Sequence, residues 1–253
     1  MGRALQSTFW RGVGFLVVLE LMLVPAVLYF PEFQKHTSSL KAMAPIPVLR
    51  NVIDSLEAGG VFAYVTGQHF FKGCNTLGTA AAVLFACGAV AGEVHRGTFE
   101  IFLARPLSRR RILTERWLEG AAAVTLPVFL TTLTIPWLCA QVGHEVGYGP
   151  LLLCAVQQCA VLLAVYSVTF FFSTLARAPM GIAFAMLFFT VFQFAVYLVE
   201  RLTHFSLFRL TDVERFMYIQ RELGFELWAL APPLAVAFAG YLASLSTFAR
   251  RTP

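Results

Sequence analysis

Two kinds of polar residue interrupt a chain of 253 residues that is 58% hydrophobic and only 13% charged. The first kind stands alone inside apolar runs: Glu20, Gln157, Gln158 and Gln193. A lone carboxylate at the centre of a bilayer costs about 2.5–3.5 kcal/mol on insertion scales, so Glu20 must face other protein or a water-filled cavity. Glu20 therefore lines a substrate path or a proton relay, pairs with a neighbouring helix, or lies close to the interface on a shifted span. Gln157 and Gln193 carry two readings, a substrate path or hydrogen bonds between helices. The second kind is a dense block, EVHRGTFEIFLARPLSRRRIL, from Glu93 to Leu113. It lies between two apolar runs and carries three consecutive arginines. Its chemistry is that of charge: it anchors a membrane segment, or it presents ionic and aromatic groups to a partner.

Catalytic signatures are missing from the sequence. It has no H-E-x-x-H and no G-x-S-x-G, which removes the common metalloprotease and serine hydrolase patterns. It has no G-x-x-x-x-G-K-[ST], so nucleotide phosphates are not held in the usual way. Cys74, Cys87, Cys139, Cys154 and Cys159 have no C-x-x-C spacing and read as small buried hydrophobes rather than a disulfide set or metal site. The five histidines are expected in loops or at span ends, which leaves no facing pair for haem.

The elements that must position these residues are membrane helices. Soluble domains average about 45–50% apolar and about 25% charged residues, and this chain departs from both values in the direction of lipid. A helix crossing about 30 Å of hydrocarbon needs roughly 20 apolar residues. Six runs qualify, at 13–30, 74–92, 117–140, 150–175, 180–199 and 227–248. The expectation is an all-α, polytopic single transmembrane domain. The first run follows MGRALQSTFWRG without a small-x-small site after a short apolar core, so it reads as a retained span rather than a cleaved signal. The second run is rich in Ala and Gly, which suits the bundle interior. Pro127, Pro136, Pro232 and Pro233 predict kinks in the third and sixth runs.

Alternation of six spans puts both termini, segment 93–116 and the turn Ala176–Pro179 on one side. That side carries 11 of the 19 Lys and Arg residues. The other side holds 31–73, 141–149 and 200–226, with eight basic and nine acidic residues. The positive-inside rule then places the termini and the arginine block in the cytoplasm. The formal charge of +5 follows from this topology and does not call for nucleic acid, because the arginines sit at the ends of apolar runs. In the first long outer loop, 39–50 is expected to have little regular structure and 48–64 to form a short amphipathic helix. Segment 200–226 reads as one or two short helices lying at the outer interface.

Local rules divide the charged block further. Gly97 is free to end a helix in the left-handed conformation. Thr98 is a suitable N-cap, and Glu100 falls in the first turn that follows. Phe99, Phe102 and Leu103 share a helical face, Pro106 stops it, and Ser108 caps the helix carrying Arg109–Arg111 into the third run. Topology anchoring accounts for the three arginines one by one. It does not account for a capped, proline-terminated helix with an aromatic face.

The pattern formed by Glu93, Gly97, Thr98, Phe99, Glu100, Leu103, Arg105, Pro106, Ser108 and Arg109 resembles the permeases of ABC-2 type transporters, which have it between the second and third of six helices. FFFSTLARAPMGIAFA, residues 170–185, is similar to the turn between that family's fourth and fifth helices. The resemblance implies a coupling helix that docks on a separate cytoplasmic ATPase, which binds ATP and Mg; this chain needs no cofactor and is not the enzyme. It implies a second permease, of the same or a different chain, with the substrate path between the two. It also implies export from a bacterial plasma membrane. The coupling residues would be Glu93, Gly97, Thr98, Phe99, Glu100, Phe102, Leu103, Arg105, Pro106 and Arg109. Two rival readings are a membrane-embedded enzyme, which needs a polar cluster inside the bundle, and a passive anchor or assembly factor, which needs no coupling element.

Overall fold

A computed structural model describes residues 2–43, 47–98 and 107–250. No strand occurs among the described residues. Among the described residues six helices are long and apolar enough to cross a membrane: Gln6–Leu28, Gly60–Ala89, Arg109–Gln141, Tyr148–Leu175, Pro179–Leu198 and Leu227–Arg250, spans 1 to 6. Spans 2 and 3, of 30 and 33 residues, overshoot the bilayer. At 1.5 Å per residue they run about 45–50 Å against about 30 Å of hydrocarbon. Span 2 begins at Gly60, well before the apolar run that starts at Cys74, so that run is only the later part of a longer helix.

Small residues set the packing. Span 6 lies along span 4, and at their crossing a Cβ on Gly240 would stand 3.0 Å from the backbone carbonyl of Ser167. Gly120 of span 3 leaves no room for a Cβ beneath the Tyr166 hydroxyl of span 4. Span 2, the run rich in Ala and Gly, is interior. Ala82, Val83, Ala86 and Cys87 are buried, and the helix packs on spans 4 and 5. Span 5 is the opposite case. Phe184 and Phe188 are 67% and 74% exposed, a face suited to lipid or another membrane helix. All five cysteines are buried free thiols.

Between Gly67 and Gly78 span 2 widens, and at its end the Thr79 N–H reaches the carbonyl of Cys74, five residues back. Widened helical turns of this type concentrate at functional sites. Here the widening turns His69 and Asn75 inward. His69 therefore departs from the expectation of a loop histidine. It is buried in span 2, with its Nε2 3.2 Å from the Thr131 hydroxyl and 3.4 Å from that of Thr132 on span 3.

The long segment after span 1 is more ordered than its composition suggests. Phe30–Met43 and Pro47–Ala58 are helices, and the second ends at Gly59 and Gly60, the latter with φ +59°. The first forms because Phe30, Phe33 and Thr37 fall on one face and are buried, with the Phe33 ring 4.6 Å from that of Tyr64. Glu32 adds local ion pairs to Lys35 and His36.

Segment 200–226 holds a short helix, as expected, and the stretch before it packs into the bundle. Tight turns at Thr203–Phe205 and Leu207–Thr211 precede a helix, Val213–Glu222, that Asp212 caps through the Arg215 N–H at 2.9 Å. Leu207–Thr211 dips between spans 2, 4 and 5, burying Phe208 and Thr211. Irregular backbone at that depth survives only where protein satisfies it. Glutamines supply the partners. Gln157 Nε2 donates to the carbonyls of Leu210 at 3.1 Å and Ala229 at 3.0 Å, and the Leu207 N–H donates to Gln193 Oε1 at 3.1 Å.

The packing of spans 4 and 6 is directly testable. Gly240→Leu should destabilise the bundle by about 1–3 kcal/mol, the usual cost of overpacking. Gly181→Leu is the control, since nothing lies within 4 Å of its Cβ position. Thermal unfolding of the detergent-solubilised chain should show a lower midpoint for the first variant only.

Candidate functional site: the charged clasp between spans 2 and 3

The site begins with a break in span 2. The helix stops at Ala89, and Val90 takes φ −121° and ψ −56° before a short helix, Ala91–His95, resumes. Such a break leaves backbone groups without helical partners. Ser173 of span 4 supplies them. Its Oγ accepts from the N–H groups of Val90 at 3.3 Å and Ala91 at 3.0 Å and donates to the Cys87 carbonyl at 3.1 Å. A side chain inserted into the hydrogen-bond ladder is an established cause of a sharp helix bend. It re-aims the end of span 2 and brings Glu93 over span 3.

The short helix then closes at Gly97. The Gly97 N–H reaches the Val94 carbonyl at 3.1 Å, and the Thr98 N–H reaches the Glu93 carbonyl at 3.1 Å. With Gly97 at φ +68°, this is the Schellman closure that the glycine permits. The Thr98 hydroxyl donates back to the Glu93 carboxylate and carbonyl. The segment Thr98 was expected to cap lies outside the described residues, as do Phe99, Glu100, Phe102, Leu103, Arg105 and Pro106. On the far side, Ser108 caps span 3 by accepting from the Arg111 N–H at 3.3 Å. Arg109 opens that helix, and Ile112 and Leu113 bury its first turn in the core.

Glu93 joins the two sides. Its carboxylate pairs with Arg96 at 2.8 Å on its own helix and with Arg116 at 3.6 Å on span 3. Arg116 also approaches Glu119 at 3.7 Å, and Arg111 pairs with Glu115 at 3.0 Å. Burial works against the charge on Glu93. The Thr98 hydroxyl and the two guanidinium groups outweigh it and hold the carboxyl below its ordinary value of 4.5. The residues flanking 99–106 are thus fixed on both sides, Glu93–Thr98 on one and Ser108–Arg116 on the other. The same end of the bundle is cross-tied by Trp117 Nε1 donating to Ser167 at 3.1 Å and by the Thr114–Tyr241 and Thr174–Thr247 hydroxyl pairs, both at 2.8 Å.

The four polar residues singled out inside apolar runs are not brought together. Glu20 accepts from the Thr134 hydroxyl of span 3 at 2.9 Å. Gln157 and Gln193 both serve the Leu207–Thr211 segment at the other end of the bundle. Gln158 donates to Asn75 Oδ1 at 2.9 Å, and Thr211 donates to the same oxygen at 3.1 Å. Sequence reasoning passed over Ser173, Arg116, Asn75 and His69 as site residues. Ser173 alone had a signal, as a hydroxyl set directly after three phenylalanines in the second motif. No group of three or more His, Cys, Asp or Glu side chains able to hold a metal ion occurs among the described residues.

The family described as ABC-2 family transporter protein matches residues 10–216, which contain most of span 1, spans 2 to 5 and the whole clasp. No curated protein and no solved structure matches the chain.

The clasp has two testable consequences. Ser173→Ala orphans two buried N–H groups and a carbonyl, and each lost partner costs about 1–3 kcal/mol where the group stays buried. Thermal unfolding should show a clear loss, and amide exchange should rise at Val90 and Ala91. Glu93 gives a pH signature. A carboxyl held below 4.5 contributes stability that is fully present above that pH and is lost as pH falls through its folded value. The melting temperature of the native chain should therefore exceed that of Glu93→Gln at neutral pH, and the gap should close below pH 4.5.

Proposed function

The chain belongs to the ABC-2 transporter family and is a multi-pass membrane permease of an ABC transporter, and from that premise we propose that segment 93–116 is its docking element for a separate cytoplasmic ATPase. The observation that carries this reading is the double anchoring of the segment. A loop that transmits force must not yield at its ends. Here one end is closed by Gly97 and bound back to Glu93, the other is capped by Ser108, and Glu93–Arg116 ties the two together. An anchor that only fixed topology would need the arginines but not this clasp.

In this reading Phe99, Phe102 and Leu103 seat in the ATPase, and Glu100, Arg105 and Arg109 provide the ionic rim. Gly97 and Pro106 bound the element, and Glu93 and Thr98 carry its displacement into span 2. ATP and Mg belong to the ATPase, where hydrolysis occurs. A second permease, identical or different, faces this one across the substrate path, and closure of two ATPases rocks the two bundles as rigid bodies. The membrane is a bacterial plasma membrane, the arginine-rich end is cytoplasmic, and the direction is export.

Co-purification tests the proposal. The native chain, co-expressed with a Walker-motif ATPase from its own genome, should retain that ATPase through detergent extraction. Phe102→Glu with Leu103→Glu should lose it while remaining inserted and folded. Equal recovery of the ATPase by both chains would show that docking lies elsewhere.

A further inference from the structure

At the end of the bundle opposite the clasp, a cavity of about 270 Å³ lies between the helix Pro47–Ala58, the end of span 5 and the segment leading to Val213–Glu222. Its ionisable lining is unbalanced. Glu200, Asp212 and Glu214 face it with Arg209 and His204, so three carboxylates meet one guanidinium. Neither Glu200 nor Glu214 has an ion-pair partner among the described residues, and Arg209 is drawn aside, its guanidinium 5.5 Å from the Trp228 ring. Asp212 commits one oxygen to the Arg215 N–H, which leaves the other for the cavity. Burial pushes its carboxyl up to about 6, against the pull of the Arg215 N–H and of the Arg215 and Arg209 guanidinium groups.

Tyr197 is the second, independent feature. Its ring is fixed in an aromatic cluster, 5.2 Å from Phe71 and 6.4 Å from both Phe194 and Phe208. The residue is 5% exposed and lines the cavity, where its hydroxyl has no hydrogen-bond partner among the described residues. That hydroxyl opens onto the cavity, where a ligand can reach it. Asp212 and Glu214 lie within electrostatic reach of it. The remaining wall is neutral and polar, including Asn51, Ser55 and Thr203.

We propose that this cavity binds the primary ammonium of a small amino alcohol, free or as a lipid headgroup, through Asp212, the Tyr197 hydroxyl and Glu214. An ammonium has three N–H donors, which suits these acceptors. The carboxylates are spread around the wall and form no metal-ligating group. The cavity is slightly smaller than the about 300–1,000 Å³ of drug-sized pockets, which fits a ligand of a few heavy atoms. Asn51, Ser55 and Thr203 can bond a neighbouring hydroxyl or ester oxygen. The site stands at the end of span 5, where a headgroup would lie. It goes beyond the docking proposal and does not depend on it, being at the other end of the molecule.

The test uses the purified full chain in detergent and titration calorimetry with ethanolamine, with sodium acetate as the anionic control. Saturable binding of ethanolamine and none of acetate is expected. Asp212→Asn keeps a good helix cap but removes the charge, and should weaken binding at least tenfold. Tyr197→Phe keeps the ring packing and should weaken it severalfold. Thermal midpoints of both variants should stay near that of the native chain. Absence of saturable binding, or native affinity in both variants, would overturn the proposal. In nanodiscs, loss of ethanolamine binding in phosphatidylethanolamine but not in phosphatidylglycerol would assign the lipid headgroup as occupant. Equal binding in both would assign the free amine.

Discussion

Backbone polar groups have no water to bond inside a bilayer, and the architecture of this protein follows from how each irregular stretch is satisfied. Besides the widened stretch Gly67–Gly78 of span 2, two places within the described bundle leave helical geometry. The break at Val90 is satisfied by one hydroxyl, Ser173, which serves two N–H groups and one carbonyl. The descending segment Leu207–Thr211 is held by the side chains of Gln157 and Gln193. In both cases the partner comes from a neighbouring span, so the irregularity fastens one helix to another. Span 4 contributes Ser173 at one end and Gln157 and Gln158 at the other, which makes it the member to which the rest is tied.

That arrangement decides what moves together. Span 4 is fixed to span 2 through Ser173 near the clasp and through the Gln158–Asn75 bond at the far end. Span 3 is fixed to span 2 by Glu93–Arg116 and by His69 with its two threonines, and to span 4 through Trp117 and Ser167. A displacement applied at Glu93 is therefore delivered to spans 2, 3 and 4 as a unit. Spans 1, 5 and 6 bury less of their surface, and span 5 presents phenylalanines outward. The molecule has a hydrogen-bonded centre flanked by helices whose faces are left for lipid or another membrane helix.

Much of this was legible in the sequence, and what was missed has a common cause. The six spans are legible because a length of hydrocarbon imposes a composition. Gly97 and Ser108 are legible because a helix end imposes a residue type. The helix Phe30–Met43 was missed because its apolar face is narrow: Phe30, Phe33 and Thr37 among polar neighbours carry no sustained period. His69 was misplaced because the turn of helix that holds it lies outside the apolar run of span 2. Ser173 and Asn75 were passed over because their meaning is tertiary. A serine in a run of phenylalanines reads as a minor polar interruption until the break opposite it is known. In the charged block the sequence named the residues, while the ion pair from Glu93 to Arg116 depends on the bend that Ser173 produces.

The two ends of the bundle solve opposite electrostatic problems. At the arginine-rich end a surplus of positive charge is organised around one carboxylate, and Glu93 draws Arg96 and Arg116 together by neutralising them. At the other end the cavity beside Tyr197 has a surplus of carboxylates, and its one guanidinium rests on an aromatic ring. Arg215, close by, is likewise held away, paired with Glu226 and stacked 4.4 Å from Trp228. Both cations are thereby used to fasten the start of span 6 to the helix Val213–Glu222 and its approach. The cost of that fastening is that neither guanidinium forms a direct ion pair with Asp212 or Glu214 among the described residues. A charge imbalance at half-buried positions is expensive to maintain. It is tolerated where solvent or a ligand of opposite sign completes it, and an ammonium ligand would also donate to the phenol hydroxyl at the cavity wall.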